Sequence, residues 1–285
     1  MPDVSAVVTL ARAALPAVPV LNRVPGVRKA PAAGFEGMAR TGPVTRIDPA
    51  HVAAYAEVCG FPRRDAVPVT YPHLLAFGLH MEIMASTEFP WPAIGTVHVE
   101  NTLTSHRPIG LEEELGATTS VRSPRPHPKG TLLDFVTTVS SGDEVVWEAT
   151  STYLRRGRGT EDAPRGLDLP VVPEGRATWD LPGDLGRRYG AVSGDLNPIH
   201  LYPVTARALG FPRQIAHGMW SKARCLAAIE NRLPDAVRVE VSFRKPILLP
   251  GRVAFGLEGD RSSWAFSLSS PRDASTHLVG RTTAL

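Results

Sequence analysis

Cysteine is scarce: among 285 residues only Cys59 and Cys225 occur, far apart and without CxxC spacing or a ligand cluster nearby. That excludes a disulfide framework and a structural zinc site, and it fits buried thiols in a reducing, cytoplasmic compartment. No apolar run approaches the ~20 residues that a membrane-spanning helix needs. Val4 to Val20 is apolar, but no basic leader precedes it, Arg12 lies within it, and Pro16 and Pro19 break it. A short helix docked on the body is expected there, not a secretion signal. Lysine is almost missing too. Lys29, Lys129, Lys222 and Lys245 are the four, so the other 27 of the 31 basic residues are arginine. The formal charge of +3 is too small and too dispersed to indicate nucleic acid. It suits a phosphate-bearing small molecule or an acidic protein, for which arginine supplies bidentate contacts. A usable glycine-rich phosphate loop is absent, and no GxSxG elbow surrounds Ser193, which argues against a serine nucleophile.

What is present is an ordinary globular balance, 43% hydrophobic and 21% charged, punctuated by 27 prolines and 25 glycines. The two halves of the chain repeat an order of events. Tyr55-Ala-Glu-Val-Cys-Gly60 returns as Tyr189-Gly-Ala-Val-Ser-Gly194, with Tyr, Val and Gly matched. In the first copy Asp48 can cap a helix that Pro49 opens, Val52, Tyr55 and Cys59 share one face, and Gly60 can end it in the left-handed conformation. In the second, Leu185, Tyr189 and Val192 form the stripe before Gly194. An apolar helix follows in each half, near His73 to Ala85 and near Gly218 to Leu233.

Alternation then predicts strands at Val97 to Leu103 and Val237 to Phe243, each meeting a similar break, His106-Arg-Pro-Ile109 and Arg244-Lys-Pro-Ile247. Further strands are expected at Leu132 to Ser140, Glu144 to Leu154, Val253 to Leu257, Trp264 to Leu268 and Thr276 to Thr283. The expected organisation is α+β, with an N-terminal half over residues 1–154, a linker over 155–175 and a C-terminal half over 176–285.

The chemistry concentrates in Ser193-Gly-Asp-Leu-Asn-Pro-Ile-His200. On a helix, five residues turn about 140° and would separate Asp195 from His200. Gly194 ends the helix and Asn197-Pro198 favours a turn, so a loop can aim both groups at one point. A carboxylate and an imidazole within reach of one water form an acid/base pair. The plainer reading is a surface loop with an Asx turn and an exposed histidine. The first half lacks such a pair. Tyr55 to His73 is ten residues shorter than Tyr189 to His217, and Phe-Pro-Arg-Arg-Asp65 follows Gly60.

The run Tyr189-x-x-x-Ser193-Gly194-Asp195-x-Asn197-Pro198-x-His200, followed by Ala216-His-Gly-Met219, resembles the MaoC-like dehydratases and (R)-specific enoyl-CoA hydratases. The likeness is specific over roughly 184–250 and extends more weakly over the first half, which looks like the degenerate repeat of two-repeat members. It implies a double hot-dog fold, each half a central helix wrapped by a curved antiparallel sheet. It also implies reversible hydration of trans-2-enoyl thioesters, or dehydration of (3R)-hydroxyacyl thioesters, with coenzyme A or acyl carrier protein as carrier. Asp195 and His200 carry over as the catalytic pair and the backbone N–H of Gly218 as the oxyanion donor. No cofactor and no metal are implied, because the thioester carbonyl already acidifies the α carbon. One site per chain is expected.

Other assignments are softer. Asn197 either forms the turn or holds substrate or water. His217, a lone histidine before an apolar helix, is expected to be a satisfied core group. Tyr71, Phe77, Leu79, Met81 and Met84 are candidates to line an acyl tail, with ordinary core packing as the alternative. Arg244 and Lys245 are candidates for coenzyme A phosphates, or simply a solvated strand end. A thioesterase and a silent acyl-binding subunit are the competing functions. A monomer or a homodimer is open.

Overall fold

The computed structural model describes residues 34–35, 37–91, 95–173, 175 and 177–285; the helix expected within Val4 to Val20 lies outside them. After strands β1 (Ala39–Thr41) and β2 (Thr45–Arg46), helix α1 spans Pro49–Cys59. Asp48 caps it by accepting from the Ala50 N–H at 2.9 Å, and Gly60 ends it at φ 80°. Helix α2 (His73–Ala85) leads into β3 (Thr96–Ser105), β4 (Glu114–Val121), β5 (Arg125–His127), β6 (Gly130–Ser141) and β7 (Glu144–Arg156). The second half repeats the plan. It runs β8 (Ala177–Leu181), α3 (Leu185–Ser193), short helices α4 (Pro198–Leu201) and α5 (Pro203–Ala208), α6 (Gly218–Ile229), β9 (Val237–Phe243), β10 (Gly251–Gly259), β11 (Ser263–Ser269) and β12 (Thr276–Ala284).

All paired strands are antiparallel and join one sheet in the order β1-β4-β6-β7-β3-β9-β12-β11-β10-β8. The halves meet at β3 and β9, where Glu100 pairs with Ser242 and Ser105 with Val237. Helix α2 packs against β1 and β4, and α6 against β11, one helix to each half of the sheet. This is the double hot-dog architecture. Lys222 on α6 crosses the seam fully buried, and its Nζ donates to the side-chain and backbone oxygens of Asn101 on β3. Trp220 Nε1 donates to Val58 O at 3.0 Å, fixing α6 to the end of α1. The repeat seen in sequence has a spatial meaning: Tyr55 and Tyr189 are both buried and their rings meet at 6.2 Å.

Besides the short strands β1, β2, β5 and β8, three features depart from the sequence reading. Strand β4 is unforeseen, because its inward residues Leu115, Ala117, Thr119 and Val121 include two weakly apolar ones. The 198–208 stretch is helical rather than loop, with Pro198 and Pro203 each at a first helical turn. Arg155 and Arg156 extend β7. Beyond them, Leu169 and Val172 are buried, and the Leu167 and Val172 amides donate to Glu100 Oε1 and Ser267 Oγ. That stretch therefore lies pinned on the sheet.

Candidate active site

Gly194 terminates α3 at φ 75°, and the chain turns at once into Asp195. Asp195 Oδ1 accepts from the Asn197 N–H at 3.1 Å, and Asn197 Oδ1 accepts from the Ile199 N–H at 3.3 Å. These successive Asx turns close the loop on itself. Pro198 then starts α4, which carries His200 on its third residue. Asn197 thus acts as the cap of α4.

His200 is buried, and its Nδ1 donates to Ile215 O at 2.8 Å. That bond fixes the tautomer and leaves Nε2 with a free lone pair. Asp195 is half-buried. Ligand atoms of Asp195, His200 and His217 all lie within 4.8 Å of one another. The acid and imidazole foreseen from spacing are thus brought together, and a third group joins them.

That third group is the main correction. His217 is buried, but it is no bystander of the core. Its Nε2 donates to the backbone oxygen of Asp195 at 3.0 Å and lies 3.8 Å from Oδ2. Its ring stacks on that of His200 at 3.7 Å, with 27° between planes. Burial pushes the His200 and His217 imidazoles below their ordinary range, against the opposing pull of Asp195. The stack is therefore one of neutral rings. Asp195, His200 and His217 are also the set whose atoms could converge on a metal ion. One nitrogen of each imidazole is committed to a backbone carbonyl, which leaves His200 Nε2, the carboxylate and the buried His217 Nδ1 uncommitted.

Gly218 opens α6 directly after His217. The first N–H groups of a helix have no intrahelical acceptor, and the dipole makes that end positive. A Cβ at Gly218 would meet the Phe243 ring at 3.2 Å, so glycine keeps this amide approachable. A narrow cavity, partly open to solvent, adjoins the site, lined by Asp195, Ser193, Tyr189 and Met219 from one half and His73, Leu74 and Phe77 from the other.

The acyl-tail candidates divide. Phe77 lines this cavity. Tyr71 is buried with its hydroxyl 2.8 Å from His51 Nδ1, and Leu79 belongs to the main core. Met84 is fully buried among Phe35, Phe89 and Phe135, with Met81 packed against the same cluster. Nearer the cavity, α2 presents His73 and His80 to His98 and Tyr153, a polar group of rings that sequence spacing did not suggest. Arg244 and Lys245 are exposed just beyond Phe243.

Known proteins resemble this chain in sequence and fold. Residues 174–262 match the MaoC like domain. The chain is 41% identical over 237 residues to 3-hydroxyacyl-thioester dehydratase X of Mycobacterium tuberculosis, covering 82% of this chain and 84% of that protein. A crystal structure of HtdX from the same organism superposes with a TM-score of 0.78 at 37% identity, covering 87% of this chain and 100% of that one. A further Mycobacterium tuberculosis protein described as having a double hot-dog fold shares the fold at 13% identity, with a TM-score of 0.55, covering 88% and 98% of the two chains.

Proposed function

Since this chain belongs to the MaoC-like 3-hydroxyacyl-thioester dehydratases, we propose that Asp195 and His200 add water to, and remove it from, an acyl thioester beside the amide of Gly218. The protein is a hydro-lyase of fatty acid metabolism, and its substrate is an acyl thioester.

The observation that carries the residue assignment is the tautomer of His200. With Nδ1–H given to Ile215 O, Nε2 keeps a lone pair, and ligand atoms of His200 and Asp195 lie within 4.8 Å of each other. In the hydration direction a water sits between them. The Asp195 carboxylate accepts one of its hydrogens, and His200 Nε2 takes the other as the oxygen bonds to C3. Electron density moves onto the thioester oxygen, which the Gly218 N–H holds as an enolate. The imidazolium formed on His200, balanced by Asp195, returns its proton to C2. Water is consumed, a (3R)-hydroxyacyl thioester results, and the enzyme ends in its starting state. Dehydration is the reverse. No further group is required, because the carbonyl supplies the electron sink.

His217 acts as a positioning residue in this scheme. It holds the Asp195 carbonyl and backs the His200 ring. The substrate's acyl chain leaves the site past Phe77, between the halves. Asp195→Asn and His200→Ala should each lower kcat by ~10³-fold or more with unchanged thermal midpoints. Near-normal turnover in either variant would remove the assignment.

A further inference from the structure

From Leu196 to Ile229 the sequence contains no acidic residue. Around α5 its exposed side chains include Tyr202, Val204 and Arg207, with Arg213 half-buried beyond them. Arg187 on α3 lays its guanidinium 4.9 Å over the Tyr202 ring and donates to Leu201 O at 3.0 Å. Tyr202 is 52% exposed and Val204 is 74% exposed, the largest value among the exposed large hydrophobic residues of the described chain. Arg207 follows Val204 by three residues on α5, hence on the same face. Its Nε donates to Pro212 O at 3.1 Å, which sets it beside Arg213.

Some arginines elsewhere on the surface are neutralised, Arg46 by Glu112, Arg107 by Glu113 and Glu144, Arg252 by Asp180, and Arg238 and Arg281 by Glu240. Among the described residues, Arg187, Arg207 and Arg213 enter no ion pair. Two apolar side chains framed by unpaired guanidinium groups have the make-up of a protein interface centre with a charged rim. Side chains this exposed stand out from the surface and form no pocket for a free nucleotide. These residues are also next to the chemistry. Tyr202 is two residues from His200, so their Cα atoms lie within ~7.6 Å, far less than the length of a phosphopantetheine arm.

We propose that the ridge formed by Arg187, Tyr202, Val204, Arg207 and Arg213 docks an acidic acyl carrier protein, which delivers the acyl group to the Asp195–His200 site. This rests on the hydro-lyase reading of that site and adds the carrier. The charge complement is an acidic helical face, and the apolar pair gives it register.

Steady-state hydration of the same crotonyl group, carried on a free-standing acidic acyl carrier protein and on coenzyme A, tests it. In the Arg207→Glu/Arg213→Glu variant, kcat/KM should fall ~10-fold or more on the carrier protein and stay within about twofold on coenzyme A. Val204→Glu should act in the same direction. Retained turnover of crotonyl-coenzyme A certifies the fold of each variant, and added salt should depress the wild-type rate on the carrier protein far more than on coenzyme A. The proposal is overturned if both substrates lose equally, if neither does, or if the wild type hydrates crotonyl-coenzyme A and ignores the carrier-bound form. It is also overturned if Val204→Glu splits a dimer into monomers, since the ridge would then be a contact between copies. No hydration of either substrate by the wild type would defeat the hydro-lyase reading itself, and the ridge with it.

Discussion

The two halves share a plan and differ in one connection. Each has a Tyr-containing helix ended by a left-handed glycine, a buried helix and an antiparallel strand set, and the two tyrosines meet across the seam. In the N-terminal half the chain passes quickly from Gly60 to His73 and straight into α2. In the C-terminal half the same passage is longer, and the added length carries Asp195, Asn197 and the short helix of His200. A histidine stands at the mouth of the buried helix in both, yet with different company. His217 grips the Asp195 carbonyl and stacks on His200, and glycine follows it. His73 faces His80 and His98, and Leu74 follows it. A common scaffold therefore supplies the position, and the inserted loop supplies the chemistry. The half without the loop becomes a wall of the cavity.

The contrast can be tested at its matched positions. The largest effect should come from His217→Phe, which keeps a ring but drops the bond to the Asp195 carbonyl; kcat should fall ~100-fold with KM little changed, and His217→Asn should recover part of the loss. His73→Phe should lower kcat only a few-fold at most. Equal losses at both positions, measured by steady-state kinetics, would erase the distinction between them. Next in size, Gly218→Ala should lower kcat ~10-fold, because the new methyl must displace the Phe243 ring and crowds the amide. An unchanged rate would remove that amide from the mechanism.

The smallest effect concerns stability. Burial pushes His80 and His98 down to about 3, with repulsion from Lys222 helping at His98. His73, His200 and His217 are lowered too, chiefly by burial. Each would take a proton near 6.5 once unfolded. Below that pH the unfolded chain binds more protons than the native one, so stability should fall as pH drops. The slope is up to ~1.4 kcal/mol per pH unit for each such histidine. For His80 and His98 the loss runs from pH 6.5 toward about 3. A thermal midpoint flat between neutral pH and mild acid would contradict their burial as neutral groups. His80→Gln, which keeps hydrogen-bonding capacity, should shallow the slope.

Much of this was legible in the sequence, where local chemistry decides the outcome. Asp48-Pro49 and Gly60 marked the ends of α1 because capping and left-handed geometry are properties of those residues alone. The Val-rich alternation of β9 was plain, whereas β4 hid its inward face behind Ala117 and Thr119. The convergence of Asp195 with His200 followed from the glycine stop and the Asn-Pro turn. The part played by His217 did not, since it depends on the chain after His200 returning, through two short helices and a loop, so that one ring stacks on another. Spacing within a segment cannot encode that return. For the methionines of α2 hydrophobicity leaves tail lining and core packing both open, and the structure places Met84, with Met81 against it, in the phenylalanine cluster of the core. Of the residues considered for the acyl tail, Phe77, nearer the helix start, lines the cavity beside His73 and Leu74.

The most direct test of the account is to incubate the wild-type protein with crotonyl-coenzyme A while following enoyl absorbance and free thiol together. A pair that adds water across the double bond predicts loss of enoyl absorbance, formation of the (3R)-hydroxybutyryl thioester and no thiol release. Thiol release with the double bond intact, or no reaction at all, would contradict it.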